Sequence, residues 1–464
     1  MLKGFSKLSV IALVTIAVLA IYTYLVPKFD YSQVFSQDND SLLVIESQTD
    51  TQVDSLGIME TPAESEPKAQ AKKKKYVKKI KPVTFSEIVG GDDFSPLTSF
   101  FDKITLFKDK RLKKLRLAYF GDSITESDLG TNRLRQVWQD SLGGKGVGFV
   151  PAVSELSQFR ASIRHTYSPN WQEYSIRHTQ DRDMPLGIAG NVAIPSIPLK
   201  DSLVSDSTSI SSHTYSMMGG NWLAKPTLIL LNNKAPLQIE YLVNKDTLEM
   251  NIDVSDNLQF ISLSDSLVKY ISIAYYPQDT CFVYGVDFSD DNGIYIDNYS
   301  LRGNKGNNFI HLNEDILRQF YDYFEYDLTI LHYGANVTDP IMKDYSWYRI
   351  SMKKNIRYLK TIEKTHPMIL FSVGDRGAQL DTLWVSSPDL PYLIKEQKRI
   401  AQDTEIGFFN LFTALGGEKS NVSLHDRALL TPDHTHFTRK GARFFGDLLF
   451  TKFYQEYQNY LDQE

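Results

Sequence analysis

Gly121-Asp122-Ser123-Ile124 directly follows the apolar run Leu115-Arg116-Leu117-Ala118-Tyr119-Phe120. The run reads as a buried strand and the four residues as a tight turn at its end. A serine placed there turns its hydroxyl toward a cleft, and the backbone N–H groups after the turn point at the same space. Far downstream, Asp433 and His436 stand three apart in Thr431-Pro432-Asp433-His434-Thr435-His436, a loop ahead of the last helical stretch. Both can reach one site. His436 would take the proton from Ser123, and Asp433 would fix the imidazole tautomer and stabilise the imidazolium. His434 is the competing base if the loop turns rather than extends. The Asp-His-x-His pattern also hints at a metal, but no other ligand-rich cluster accompanies it, so none is expected.

Two further segments supply donors for an anionic tetrahedral intermediate. Asn336, in Tyr333-Gly334-Ala335-Asn336, closes the strand-like run Leu328–Leu331 and offers a side-chain amide. Its alternative reading is a turn asparagine that supports a loop. Tyr299-Ser300-Leu301-Arg302-Gly303-Asn304-Lys305-Gly306 is glycine-rich, and a glycine brings a backbone N–H close to an oxyanion with no side chain in the way. Arg376 also ends a strand. It reads as an ion-pair partner of Asp375 or another acid rather than as a ligand for an anionic group. Trp171, Trp222, Trp347 and Trp384 read as core residues rather than sugar platforms.

The elements that must position these residues fall into two kinds. Strand-like runs alternate with helical stretches around Leu115–Phe120 and again from Leu328 onward: a helix across Trp347–Lys364, Met368–Phe371, a helix near Tyr392–Gln402, Gly407–Leu411 and a helix from Lys440. Such alternation implies α/β architecture with a parallel sheet covered on both faces. Between the blocks, Leu237–Tyr241, Leu248–Val254, Leu258–Leu263, Val268–Tyr275 and Phe282–Phe288 read as strands joined by short polar turns. The domain reading is therefore 88–159 and 286–464 as two parts of one α/β domain, with an all-β sandwich inserted at 160–285.

The 464 residues carry a formal charge of −6, which makes no general case for nucleic-acid binding. Cys281 is the single cysteine, which excludes an internal disulfide; it reads as a small buried hydrophobe. Residues 8–27 hold no charge, a 20-residue apolar stretch close to the roughly 30 Å hydrocarbon thickness. Residues 1–28 are expected to be a transmembrane helix with Lys3 and Lys7 in the cytoplasm, the rest lying outside the inner membrane. Residues 29–87, polar and then lysine-rich, read as a disordered linker.

The four motifs in this order resemble those of the SGNH, or GDSL, hydrolases. Ser123 matches the block I nucleophile, Gly303 the block II glycine with Gly306 as substitute, Asn336 the block III asparagine, and Asp433 and His436 the block V Asp-x-x-His. Asn336 is followed by Val337 where an acidic residue is usual. The resemblance implies a flavodoxin-like three-layer domain. It also implies a serine esterase with Ser123, His436 and Asp433 as catalytic residues, an oxyanion hole of Ser123, Gly303 and Asn336, and no cofactor. A narrower resemblance is to bacterial peptidoglycan O-acetylesterases, some of which carry a carbohydrate-binding-module-like sandwich between blocks I and II. Gly144–Pro151 and Ala414-Leu415-Gly416-Gly417 add to it. An acetylated glycan is the implied substrate. An O-acetyltransferase and a non-catalytic glycan-binding envelope protein are the alternatives on this scaffold.

Overall fold

The apolar run ahead of Gly121 becomes a strand, Lys114–Phe120, buried along nearly its whole length. Its side chains alternate as a strand requires. Leu115, Leu117 and Tyr119 join one buried cluster, and Ala118 and Phe120 join another. The computed structural model describes residues 96–178, 183–198, 210–218, 222–363 and 366–462. The expected anchor at 1–28 and linker at 29–87 lie outside the described residues. Among those residues, no helix is long and apolar enough to cross a membrane.

In chain order, α1 (Thr98–Lys108), β1 (Lys114–Phe120) and α2 (Leu129–Leu142) come first. Then follow β2 (Gly148–Pro151), β3 (Ile163–Tyr167), β4 (Trp171–Ser175), β5 (Asn191–Pro195), β6 (Ser211–Met217) and β7 (Pro226–Leu231). β8 (Leu237–Val243), β9 (Asp246–Ile252), β10 (Gln259–Ser262), β11 (Tyr270–Pro277) and β12 (Phe282–Phe288) complete the antiparallel stretch. β13 (Gly293–Asn298), α3 (Glu314–Phe324), β14 (Leu328–His332), α4 (Ser346–Ile362) and β15 (Met368–Phe371) return to α/β alternation. A hairpin of β16 (Gly377–Leu380) and β17 (Leu383–Ser386) precedes α5 (Leu390–Thr404) and β18 (Gly407–Phe409). Three helices end the chain, α6 (Leu411–Leu415), α7 (Ser420–Asp426) and α8 (Arg439–Leu461).

β13, β1, β14, β15 and β18 form one parallel sheet in that spatial order. Counted along the chain this is 2-1-3-4-5, the flavodoxin-like order, whose topological switch point lies between β1 and β14. Residues of α1, α2 and α8 cover one face, and residues of α3, α4 and α5 cover the other. β18 stops two residues short of the expected Leu411 because the Asn410 side chain caps α6, accepting from Thr413 N. β13 was not among the expected strands.

The inserted strands make two antiparallel sheets, β10-β7-β12-β5-β4 and β3-β6-β11-β8-β9. This part is wider than the expected 160–285. β2 pairs with β12 from Gly148↔Phe288 to Pro151↔Gly285, so the sandwich draws on residues ahead of 160 and runs to Phe288. Leu228, Leu230, Val283, Val286 and Phe288 enter the sandwich core together with Cys281. Their strand neighbours Ile229, Leu231 and Tyr284 face the other way, into the cluster that holds Phe320 and Phe324 of α3. One sheet of the module is thus apolar on both sides, and its outer side is the seat on the α/β domain.

Arg116 stands between Leu115 and Leu117 and so points toward the module. It is 2% exposed. Its Nε and Nη2 donate to Asp297 of β13 at 2.6 and 3.0 Å, and Nη2 also donates to Asp287 of β12 at 2.6 Å. Asp297 accepts Phe149 N and the Tyr326 hydroxyl as well, both at 2.8 Å. Removing the cation leaves two buried carboxylates without their partner. Arg116→Met is expected to lose about 3–5 kcal/mol of stability, read as a lowered midpoint in urea unfolding; a loss below about 1 kcal/mol, in the range of exposed ion pairs, would contradict this role.

Candidate active site

Gly121 ends β1, and the chain turns so closely that a Cβ there would meet Thr125 Oγ1 at 2.5 Å and Ser300 Oγ at 2.8 Å. The turn delivers Ser123, whose Oγ lies 2.9 Å from His436 Nε2. On the other side of that ring, Nδ1 lies 2.6 Å from Asp433 Oδ2. Asp433 Oδ1 accepts from the Thr431 hydroxyl at 2.6 Å and from Thr435 N and His436 N at 3.0 Å each. Burial disfavours the charge on Asp433. The bond and charge of His436, the Thr431 hydroxyl and the His436 N–H outweigh burial and hold the carboxyl well below the usual carboxylate range. An ionised Asp433 only accepts, so His436 Nδ1 donates to it and Nε2 is left to accept the Ser123 O–H. The arrangement fits a hydroxyl activated by an oriented imidazole.

His434 does not fill that place. It adopts a left-handed backbone, φ 52°, and its ring is stacked between Trp384 at 4.4 Å and His425 at 4.1 Å. Burial, followed by the neighbouring His425, lowers its pKa. Trp384 is thus a packing partner for this loop. Trp222 and Trp347 are not the core residues expected, being 39% and 42% exposed.

Asn336 reaches the same turn from the loop after β14. Its Nδ2 donates to Asp122 Oδ2 at 3.1 Å and to Asn304 O at 3.2 Å. The departure at Val337 is absorbed locally. Val337 N and Thr338 N both donate to Gly334 O, which curls the loop, and Arg376 braces it by donating to Ala335 O at 2.5 Å and to the Thr338 hydroxyl. The expectation of an ion pair for Arg376 is therefore corrected. Asp375 instead accepts from Asn421 N and Nδ2, both at 2.8 Å.

Gly303 follows β13 in a left-handed conformation, φ 69°. Its N–H, like that of Ser123, meets no acceptor among the described residues. The N–H of Gly306 is already committed to Asn304 Oδ1 at 2.9 Å, and a Cβ on Gly306 would strike the Tyr333 ring. Of the two glycines, Gly303 is the one with a donor to offer. Sequence reasoning passed over Glu126. Its carboxylate accepts Arg302 Nε at 3.0 Å and so clasps the residue before Gly303. An acid three residues after the serine, opposite a cation beside the glycine, was the available signal.

A cleft of about 630 Å³ lies between the module and the loop after β13, lined up to Arg302, the residue before Gly303, and by Glu126 of the turn that carries Ser123. Glu173, Tyr174 and Arg177 line it from the module, and Glu126, Ser300 and Arg302 from the α/β domain. Among the described residues there is no group of three or more His, Cys, Asp or Glu side chains arranged to hold a metal.

The sequence matches no family model and no curated relative. Among solved structures, the chain is similar to a peptidoglycan O-acetylesterase, with a TM-score of 0.62 and 18% identity over 80% of this chain and 99% of that one. Other similar structures are a family two carbohydrate esterase from Cellvibrio japonicus (TM-score 0.24, 8% identity, 64% and 99% covered) and an acetyl xylan esterase (TM-score 0.24, 16% identity, 34% and 80% covered). The first match shows the fold.

Asp122 carries the electrostatic cost of this geometry. It is 2% exposed, and burial pushes its carboxyl from 3.8 up to about 6, against the Ile124 N–H, the charge of His436 and the Asn336 amide. The stability contributed by its proton is complete below 3.8 and is lost as pH rises through about 6. The wild type should therefore gain stability relative to Asp122→Asn as pH falls from neutral through that window, measured by urea unfolding at each pH. A difference that does not change with pH would show that Asp122 is not a buried charge.

Proposed function

We propose that this chain, an SGNH hydrolase by fold and similar in structure to a cell-wall O-acetylesterase, removes O-acetyl groups from a cell-wall or surface glycan outside the cytoplasm. The observation that carries the reading is the unbroken chain from Ser123 Oγ through His436 to Asp433, at 2.9 and 2.6 Å. Ser123 attacks the ester carbonyl carbon as its proton passes to His436 Nε2, and Asp433 stabilises the imidazolium. Negative charge collects on the carbonyl oxygen, where the N–H groups of Ser123 and Gly303 and the Asn336 amide receive it. His436 then gives its proton to the leaving sugar oxygen, and the acetyl group stays on Ser123. Water, deprotonated by His436, attacks that ester, and acetate leaves as Ser123 regains its proton. None of these steps draws on a cofactor.

The glycan part of the reading is supported by the cleft. Its volume, about 630 Å³, exceeds what an acetyl group needs and lies within the range of about 300–1,000 Å³ typical of ligand sites. The location is supported by the apolar stretch at 8–27, which would tether the esterase to the inner membrane.

Ser123→Ala is expected to abolish acetate release both from acetylated peptidoglycan and from 4-nitrophenyl acetate while thermal unfolding stays unchanged. Turnover that survives the substitution would remove Ser123 as nucleophile. Asn336→Ala should lower kcat by about 100- to 1,000-fold, the usual loss of one oxyanion donor; a change of less than tenfold would leave the amide a merely structural role.

A further inference from the structure

What lies over Gly303 comes from the inserted module. Arg177, just past β4, brings Nη2, Cζ and Nε to 2.8, 2.9 and 3.2 Å from the position a Cβ on Gly303 would occupy. The guanidinium thus rests against the residue whose N–H is free to donate. The other cations that line the cleft have acidic partners. Arg302 meets Glu126 at 3.0 Å, and Arg160 meets Asp128 at 3.6 Å. Arg177 forms no ion pair with any described residue.

We infer that Arg177 is the module's contribution to the oxyanion hole, a guanidinium without an ion-pair partner among the described residues, held at Gly303, that stabilises the charge developing on the substrate carbonyl oxygen. The inference rests on the esterase reading of the site. A neutral ester carbonyl gains little from a nearby cation, whereas the oxyanion gains much more. The interaction is therefore stronger in the transition state than in the ground state, which raises kcat rather than lowering KM. The module is then part of the reacting site and not only a holder of glycan. The side chain is partly in water, so its effect is moderate, about tenfold in rate by the Coulomb scale at high effective dielectric.

The test uses the full chain, 4-nitrophenyl acetate as probe, and two variants, Arg177→Gln and Arg177→Lys. The glutamine variant should lower kcat about tenfold at low salt with KM nearly unchanged, and lysine should restore most of the loss. The gap between wild type and glutamine variant should narrow at an ionic strength of about 1 M, where the screening length falls to about 3 Å. If the glutamine variant unfolds, Arg177→Ala with guanidinium ion added back gives the same reading, recovery of kcat supporting the inference and no recovery overturning it. Three results would overturn it: an unchanged kcat in the glutamine variant, equal losses in the glutamine and lysine variants, or a loss confined to the KM for 4-nitrophenyl acetate. Wild type without Ser123-dependent turnover of the probe would instead remove the esterase reading.

Discussion

One turn holds the site together. Between Gly121 and Asp128, five side chains bind distant segments. Asp122 takes the amide of Asn336, Ser123 meets His436, and Glu126 takes Arg302. Thr125 pairs through its hydroxyl with Ser300 at 2.7 Å, and its carbonyl accepts Asn298 Nδ2 at 2.6 Å. Asp128, itself in a left-handed conformation, ion-pairs with Arg135 of α2 and with Arg160. Buried polar groups are costly unless satisfied, so each bond also fixes the geometry of the segment that makes it. Three strand ends and the loop before α8 meet at this turn because the flavodoxin-like order places the C-terminal ends of β13, β1 and β14 side by side.

The same logic seats the module. A cleft between two bodies keeps its shape only if the bodies do not slide. Here the seat is an apolar sheet face packed on α3, with Phe260 stacked on Tyr323 at 3.9 Å and Tyr284 edge-on to Phe320 at 5.3 Å. Apolar contact alone sets little direction. Arg116 adds it, because its planar fork reads two carboxylates at once, one on each body. Module and parallel sheet are thereby registered to each other within a few residues of the turn that carries Ser123.

What the sequence made legible follows from which physics is local. Met368–Phe371 and Phe282–Phe288 have the boundaries expected, since a short apolar run between polar turns needs no tertiary information. That Ser123, Asn336, Asp433 and His436 would converge on one turn was legible because their motifs sit at strand ends and on the loop before a helix. β13 was not. Gly293–Asn298 lies between the antiparallel strands and the glycine-rich loop, and its partner β1, about 180 residues earlier in the chain, is what makes it a parallel strand. β2 was missed for the same reason, its partner β12 lying far along the chain. Arg376 and Glu126 were misjudged or passed over because the identity of a charged group's partner is a tertiary fact. Arg376 found a carbonyl and a hydroxyl, and Glu126 found the arginine beside Gly303.

The resting state of Asn336 bears on how its amide would act. Both hydrogens of Nδ2 have acceptors, the ionisable Asp122 on one side and the neutral carbonyl of Asn304 on the other. The amide is thus held in place without substrate. Under the esterase reading, the oxyanion must displace one acceptor. Asp122, anchored by the Ile124 N–H, is the stronger, so the Asn304 carbonyl is the one to yield. A bond to a charged acceptor is about twice as strong as a bond to a neutral one. The exchange therefore gains energy only when the carbonyl oxygen carries charge, and gains almost nothing when it is still an ester. A donor that is satisfied at rest and improves its bond only at the transition state discriminates between the two states more sharply than one left open to water, and the buried charge on Asp122 is the cost of keeping it so.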